Sequence, residues 1–257
     1  MVFNRFKRLL TADAPSTAAT PQGTRLYSIG DIHGRDDLLA TLHTLIAKDL
    51  QENPPQRAEI IYLGDYIDRG ADSRGVLERL LAFKATFQDV KPVFLKGNHE
   101  EAMLNFLLDY EIGREWMMYG GQATLYSYGV PLYDFQGATP AVLLALQEQL
   151  RELLPAAHIE FLQRQPLYYE AGDYFFTHAG VNPLLRLDEQ HAADLLWIRD
   201  DFLRSSKNFG KVVVHGHTIS QIPEFKHNRI GIDTGAYATG TLTALVLEGT
   251  TRRVLQT

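Results

Sequence analysis

Several short apolar runs in this sequence end in acidic, amide or histidine side chains that stand next to glycine. The groups that follow these runs are Asp31-Ile32-His33-Gly34, Asp65-Tyr66-Ile67-Asp68-Arg69-Gly70, Asn98-His99-Glu100, His178-Ala179-Gly180, His215-Gly216-His217-Thr218 and Asp233-Thr234-Gly235. One Asp or His after a strand usually caps a helix or satisfies a loop. Ligands of open α/β sheets bind beyond the carboxyl ends of the strands, so the convergence of these groups predicts a metal site.

The spacing of three of these residues supports this interpretation. Asp31 and Asp65 lie 34 residues apart, and Asp65 and Asn98 lie 33 apart. Each interval is one strand-plus-helix unit, which places the side chains at the same edge of neighbouring parallel strands. Carboxylate, amide and imidazole donors suit divalent cations such as Mn²⁺, Fe²⁺ or Zn²⁺. Two such ions sharing a carboxylate would activate water for in-line attack at phosphorus.

Three further polar residues fit phosphoryl chemistry beside such a site. The guanidinium of Arg69 can hold two phosphate oxygens at once. His99 follows Asn98 directly and is placed to protonate a leaving alkoxide as a general acid. Asp68 is the carboxylate expected to orient His99.

The elements that would position these groups alternate along the chain. Strands are predicted at 26–30, 60–64 and 93–97, with amphipathic helices between them. This βαβαβ order predicts parallel strands covered by helices, in an α/β fold.

The second half of the chain follows a different pattern. Residues 99–163 are predicted to be mainly helix and loop, with one helix beginning at Thr139-Pro140. Strands then return at 167–170, 174–178, 212–217, 229–232 and 241–248. Their short connections predict a partly antiparallel arrangement.

Composition excludes several classes of function. The chain has 257 residues, with 25 basic and 31 acidic side chains and a net charge of −6. It lacks the basic surplus of a nucleic-acid-binding protein, so no nucleic-acid partner is expected. It has no cysteine, which excludes disulfides, thiolate metal ligands and a thiol nucleophile.

The amino-terminal region carries no targeting signal in this interpretation. Arg5, Lys7 and Arg8 are not followed by the apolar stretch of a secretory signal, and no run is long enough for a transmembrane helix. We expect a cytoplasmic location, a flexible leader over 1–24 and a catalytic domain over 25–257. Apolar residues at helical spacing within 2–10 leave a helix that binds a membrane surface or a partner as an alternative to a frayed tail.

The three multi-residue motifs together resemble a known family. Gly30 to Gly34, Gly64 to Gly70 and Gly97 to Glu100 are similar, in order and spacing, to the PPP-type serine/threonine protein phosphatases of the calcineurin-like metallophosphoesterase superfamily. The resemblance covers about 25–248 and looks closest to compact bacterial and phage members such as the lambda phage phosphatase. It implies two mixed β-sheets sandwiched between helices.

The resemblance also implies roles for individual residues. Two divalent ions, with manganese expected and iron or zinc as alternatives, would share Asp65. Asp31 and His33 would complete the first site, and the second site would be completed by Asn98, His178 and His217. Arg69 and Arg199 would bind phosphate, His99 would be the acid oriented by Asp68, and Tyr237 would lie near the metals.

The function implied is hydrolysis of phosphoserine and phosphothreonine, with phosphotyrosine as a further substrate. The position at which many phosphodiesterases carry a second histidine is Ile219 here, which favours monoester chemistry. One alternative is a symmetrical bis(5'-nucleosyl)-tetraphosphatase that uses the same site. A more distant alternative is a non-catalytic scaffold that binds metal or phosphate. The substrate partner is accordingly a phosphoprotein or a small phosphoester.

Some residues are left with open interpretations. His215 is either a hydrogen-bonding neighbour of the site or an outer ligand, because alternation along a strand would put it on the same face as His217. Residues 116–121 form an aromatic patch that is either local core or a lid over the site. The histidines at 43, 158, 191 and 227 are expected to be solvated or capping residues.

Overall fold

The structure is a computed structural model that describes residues 17–131 and 138–257. The proposed amphipathic segment over 2–10 lies outside the described residues, as does most of the expected leader. Within residues 17–24, Thr20 and Thr24 are buried, and the Thr20 amide donates to the Gly249 carbonyl. Packing against the domain therefore extends upstream of residue 25.

A first sheet of five strands holds the predicted βαβαβ unit. Strands β1, β2 and β3 run parallel, β9 pairs antiparallel with β1, and β10 pairs antiparallel with β9. In spatial order the strands are β10 (Thr251–Gln256), β9 (Thr243–Glu248), β1 (Thr24–Ile29), β2 (Arg57–Tyr62) and β3 (Val90–Phe94).

A second sheet of five strands is also mixed. Strands β5, β6 and β8 are parallel, whereas the outer strands β4 and β7 pair antiparallel with their neighbours. In spatial order the strands are β4 (Tyr168–Ala171), β5 (Tyr174–Thr177), β6 (Val212–His215), β8 (Arg229–Gly231) and β7 (Glu224–Phe225).

In the part of the chain that the structure describes, three helices connect the parallel strands of the first sheet, and five more lie between β3 and β4. Two helices lie between β5 and β6, and one lies between β8 and β9. In chain order the helices are α1 (Asp36–Glu52), α2 (Ser73–Leu81), α3 (Phe83–Thr86), α4 (Asn98–Leu108), α5 (Gly113–Trp116), α6 (Gln122–Ser127), α7 (Pro140–Leu153), α8 (Ala156–Gln163), α9 (Ala192–Trp197), α10 (Asp200–Leu203) and α11 (Ala236–Thr239). The predicted start of α7 is confirmed, because the Thr139 side chain accepts from the Val142 amide and Pro140 is the first helical residue.

The core has three layers of contact. Leu26, Ile61 and Leu245 of the first sheet face Phe176 and Val214 of the second sheet, which forms the interior between the sheets. The alternate residues of the same strands face the helices, since successive side chains point to opposite sides of a strand. The helix-facing core residues include Tyr27, Ile29, Ile60, Leu42, Leu77 and Leu146. On the outer face of the second sheet, Phe175 and Val213 pack against Leu195 and Phe202. Two mixed sheets between helices confirm the predicted α/β metallophosphoesterase fold.

The predicted strand boundaries differ from the observed ones in a consistent way. The strands predicted at 60–64 and 93–97 end two or three residues earlier, at Tyr62 and Phe94. The polar turns begin at once, so the backbone leaves the sheet before the motif residues. Strands β7 and β10 were not predicted. The described residues contain no helix long and apolar enough to cross a membrane.

Candidate metal centre and active site

The loops beyond the strand ends hold an unusual backbone conformation. Among the described residues other than glycine, positive φ angles occur at His33, Asp65, Asp68, Arg69 and His217. Every one of these residues was predicted from sequence to belong to the site. Such conformations cost about 1–3 kcal/mol each and persist only where the surroundings impose them. The surrounding structure therefore holds these loops in strained conformations that direct the candidate site side chains towards each other.

A first group of potential ligand atoms surrounds one oxygen of Asp65. The groups that could hold a cation there are Asp65, His33 and His99. The Nε2 atoms of His33 and His99 lie 3.4 and 3.8 Å from Asp65 Oδ2. All three side chains are buried. The expected first set contained Asp31 in place of His99, so the structure adds His99 to the neighbourhood of this oxygen.

A second group surrounds the other oxygen of the same carboxylate. It consists of Asp65, His178 and His217. His178 Nε2 lies 3.4 Å from Asp65 Oδ1, 3.1 Å from His217 Nδ1 and 2.8 Å from Asn98 Oδ1. Asp65 belongs to both groups, which is the arrangement that a carboxylate shared between two cations requires.

Asp31 approaches the cluster from the side of His217. Its Oδ2 and Oδ1 accept from the His217 amide at 3.0 and 3.2 Å. A Cβ atom at Gly216 would lie 2.1 Å from Asp31 Oδ1. The absence of a side chain at residue 216 therefore lets the chain carrying His217 reach Asp31.

The histidine rings are oriented by their outer nitrogens. His33 Nδ1 donates to the Ile67 carbonyl and His178 Nδ1 donates to the Leu63 carbonyl, both at 2.9 Å. Since a carbonyl only accepts, the lone pair of each ring is on Nε2, which faces the cluster. His217 Nε2 is buried without a hydrogen-bond partner. The ring nitrogen of His217 that faces the cluster is Nδ1, which lies 3.1 Å from His178 Nε2. Two facing ring nitrogens beside the Asp65 carboxylate fit a divalent cation, and the oxygen and nitrogen donors suit manganese, iron or zinc.

The electrostatics keep these groups in the protonation states that metal binding requires. Burial lowers the pKa of His33 to about 3 and that of His217 to about 2, so both rings are neutral at pH 7. Burial alone would raise the pKa of Asp65, but the imidazoles of His178, His99 and His33 hold it well below its usual range. The cluster therefore presents the neutral rings of His33 and His217 beside an ionised Asp65 carboxylate.

His99 differs from the other rings of the cluster. Its Nδ1 donates to Asp68 Oδ2 at 2.6 Å, and both side chains are almost completely buried. Burial favours the neutral ring, but Asp65 and the hydrogen bond to Asp68 outweigh burial and raise the pKa of His99. A histidine that keeps its proton more readily than its neighbours suits a general acid.

The two predicted phosphate-binding arginines lie on different sides of the cluster. Arg69 contacts the Nε2 atoms of His33 and His99 at 2.9 and 3.1 Å. Arg199 Nη1 lies 3.3 Å from both the His217 carbonyl and Thr218 Oγ1. Arg69 thus contacts histidines of the first ligand group, and Arg199 contacts the backbone of His217 in the second.

Tyr237 lies beside His33 and Arg69. Its ring lies 5.5 Å from that of His33, edge to face, and the Arg69 guanidinium lies 5.0 Å from the Tyr237 ring centroid. About a third of Tyr237 is exposed, so it borders the open side of the cluster.

Two buried acids near the cluster had no assigned role. The Glu100 carboxylate accepts from the amides of Asp65, Tyr66 and Gly97, each at 2.8 Å, and so ties two motif loops together. Asp233 accepts from the Gly235 amide, and burial next to Asp65 raises its pKa to about 6. Burial, and after it the neighbouring Asp233 carboxylate, raises the pKa of Asp31. Both residues follow predicted strands, which was the only signal available for them.

His215 and two other histidines outside the cluster are buried. His215 is outside both ligand groups; its Nδ1 faces the Gly216 carbonyl, and its ring packs on Phe202. The expectation that His43 and His158 are solvated or capping was wrong. His43 Nε2 lies 2.8 Å from the Tyr62 hydroxyl and His158 Nδ1 lies 2.7 Å from the Tyr128 hydroxyl, and both rings are buried.

Comparison with known families identifies the class of protein that this fold and cluster define. The profile of the calcineurin-like phosphoesterase family matches residues 24–240. The chain belongs to this family and is a metallophosphoesterase, a hydrolase class that uses divalent metals. The predicted superfamily is confirmed, and the PPP-type subclass stays a prediction.

Three individual proteins are similar to this chain over most of its length. The asymmetrical bis(5'-nucleosyl)-tetraphosphatase PrpE of Bacillus cereus (strain ATCC 10987 / NRS 248) is 26% identical, covering 84% of this chain and 88% of that protein. The crystal structure of a candidate diadenosine tetraphosphatase has a TM-score of 0.60 at 20% identity, over 93% of this chain and 98% of that one. A cold-active protein-tyrosine phosphatase of a psychrophilic Shewanella species has a TM-score of 0.57 at 17% identity, over 95% and 85%. At these identities the two structures establish the fold alone.

Proposed function

We propose that this metallophosphoesterase is a phosphomonoesterase that acts on phosphoserine and phosphothreonine, and also on phosphotyrosine. The observation that carries the proposal is the buried pair formed by His99 and Asp68 beside the cluster. An alkoxide is a poor leaving group, so its departure needs a proton in the transition state. A polyphosphate leaves as a stable anion and needs a dedicated acid much less.

The proposed ligand sets differ from the two groups observed around Asp65 in having Asp31 in place of His99 and in adding Asn98. Asp31, His33 and Asp65 would hold one ion, and the other would be held by Asp65, Asn98, His178 and His217. Two divalent ions, with Mn²⁺ preferred, would supply an activated water and neutralise charge on the phosphoryl oxygens. The close approach of His178 Nε2 to His217 Nδ1 and the sharing of Asp65 support this assignment. A cytoplasmic location is part of the same proposal.

The remaining residues would bind and orient the phosphoryl group. Arg69 and Arg199 would hold its oxygens from opposite sides, and Tyr237 would border the entrance beside Arg69. His99 would donate its Nε2 proton to the leaving oxygen, while Asp68 keeps the ring in the orientation that points Nε2 at the substrate. A positively charged clamp of this kind stabilises charge where it develops during the reaction.

A second candidate is hydrolysis of dinucleoside tetraphosphates. It is favoured by the name of the Bacillus cereus relative, which shares most of its length with this chain. The products distinguish two forms of this activity. Symmetrical cleavage of diadenosine tetraphosphate gives two ADP, whereas asymmetrical cleavage gives ATP and AMP.

Rates on substrates with different leaving groups test the proposal. The metal-loaded protein is assayed with a phosphoserine peptide, p-nitrophenyl phosphate and diadenosine tetraphosphate, and compared with His99→Asn at equal metal content. We expect peptide hydrolysis to fall about 100-fold or more in the variant, with a much smaller loss on p-nitrophenyl phosphate. Turnover of the dinucleotide alone would refute the protein-phosphatase proposal, and binding without any turnover would indicate a scaffold.

A further inference from the structure

The carboxylate of Asp68 is held by more than its contact with His99. Its Oδ2 accepts from the Trp116 indole Nε1 at 2.9 Å, and its Oδ1 accepts from Thr124 Oγ1 at 2.6 Å. Asp68 and Trp116 are fully buried. The carboxylate cannot rotate away from His99 without losing buried hydrogen bonds to a charged group, which are among the stronger ones in proteins.

Thr124 also fixes the backbone of Asp68. The Asp68 amide donates to Thr124 Oγ1 at 2.9 Å and to Ser73 Oγ at 3.0 Å. The Thr124 hydroxyl thus donates to the side chain of Asp68 and accepts from its amide. Asp68 has a φ of 73°, a strained conformation that needs such support.

The same stretch of chain contacts Arg69 through its backbone. Residues 116–124, which we call the clamp segment, contain a π-helical turn over Met117–Gly121. The Gly120 carbonyl accepts from the Arg69 amide at 3.1 Å, and the Tyr119 carbonyl faces Arg69 Nε at 3.4 Å. π-Helical turns of this kind are frequent at functional sites.

Gly120 is required for this approach. Its φ is 108°, which side-chain-bearing residues rarely adopt. A Cβ atom there would lie 2.7 Å from Arg69 Cγ and 2.9 Å from the Arg69 amide nitrogen. An alanine would therefore push against the arginine proposed to bind phosphate.

We infer that the clamp segment positions the two halves of the active site separately: Trp116 and Thr124 set the direction of the acid through Asp68, and Gly120 sets the phosphate-binding arginine. This inference rests on the proposed function. Trp116 and Thr124 are positioning residues, since they reach the reaction only through Asp68 and His99. The aromatic patch at 116–121 is thus partly core and partly a support of the site.

The proton-donation half is tested with Trp116→Phe, which keeps an aromatic ring in the core and deletes the indole N–H. We expect kcat on an alkyl phosphate, either a phosphoserine peptide or glycerol phosphate, to fall about tenfold. On p-nitrophenyl phosphate, kcat should change less than about threefold, and KM should stay the same on both substrates. Thr124→Val should show the same pattern. Thr124→Ser, which keeps the hydroxyl, should have the wild-type kcat on both substrates.

The phosphate-binding half is tested with Gly120→Ala. We expect KM to rise on every substrate, while the ratio of alkyl to p-nitrophenyl rates stays at the wild-type value. Tyr128→Phe is the matched control, because it deletes another buried hydrogen bond nearby, the one to His158, without touching Asp68 or Arg69. It should leave both readouts unchanged.

The outcomes distinguish failure of the positioning inference from failure of the proposed function on which it rests. Equal losses on both classes of substrate in Trp116→Phe and Thr124→Val, or no loss on either, would overturn the positioning inference alone. A wild-type protein without alkyl phosphatase activity would overturn the proposed function and the inference together. If Trp116→Phe does not fold, Thr124→Val and its serine counterpart decide the question.

Discussion

At the scale of single residues, the site depends on backbone conformations that side chains normally avoid. Positive φ angles occur at Asp65 and His217, proposed to bind metal, at Asp68, proposed to orient His99, and at Arg69, proposed to bind phosphate. The glycines beside them provide the room for this. Gly216 is the clearest case, because its missing side chain is what allows the His217 amide to reach Asp31.

A residue-scale prediction follows for Gly216→Ala. The new methyl group would overlap Asp31 Oδ1, so Asp31 must move away from the cluster. We expect affinity for Mn²⁺, measured by calorimetric titration, to fall about tenfold or more. Gly249→Ala is the control, since a Cβ there meets open space despite a φ of 55°. The control should lose some stability and no metal affinity; unchanged affinity in Gly216→Ala would contradict the role of Asp31.

The residues proposed as ligands can be picked out from the sequence because they follow apolar strands directly. It could not find the contacts that orient them. Trp116 lies 48 residues from Asp68 in sequence, and their hydrogen bond depends on how the helical region folds back over the first sheet. The approach of Glu100 to the Asp65 amide likewise exists only once two loops are brought side by side.

At the scale of elements, the packing of helices against the first sheet buries polar side chains as well as apolar ones. His43 on α1 is buried between Tyr62 of β2 and Phe87, and its Nε2 is hydrogen-bonded to the Tyr62 hydroxyl. Its position on the helix suggested a solvated residue, because the tyrosine partner comes from another element. Burial and the nearby Arg79 lower the pKa of His43 to about 4.

This burial predicts a specific dependence of stability on pH. Below about pH 6.5 His43 is protonated in the unfolded chain but stays neutral in the folded protein. The free energy of unfolding therefore decreases as pH falls from 6.5 towards 4. Between pH 7 and pH 5, the wild type should lose about 2 kcal/mol more unfolding free energy than His43→Gln, measured in urea. His227→Gln, at an exposed histidine, should follow the wild type. Equal losses in His43→Gln and the wild type would show that His43 is protonated in the folded protein.

Element prediction succeeded where apolar runs were continuous and failed at the edges. Strand β10 carries Arg252 and Arg253 and pairs with β9 along one side only, so its sequence lacks a strand-like apolar run. Strand β7 has two residues, too few for any periodicity. Neither strand bears a site residue, which is why the site could be anticipated without them.

At the scale of the whole molecule, the cluster lies where the two sheets meet. Asp65 follows β2 of the first sheet, whereas His178 and His217 follow β5 and β6 of the second. The buried residues between the sheets hold these loops against each other. Metal binding at Asp65 would therefore link groups from both sheets.

Metal stoichiometry by elemental analysis tests whether Asp65 is shared between two ions. After equilibration with Mn²⁺ and removal of free ions, the wild type should hold two ions per chain, and so should the control Asp188→Asn, whose carboxylate is exposed in a surface ion pair. Asp65→Asn removes the charge that both ligand groups share, so it should retain fewer than one ion. Two ions retained by Asp65→Asn, or none bound by the wild type, would contradict a phosphoesterase centre built around Asp65.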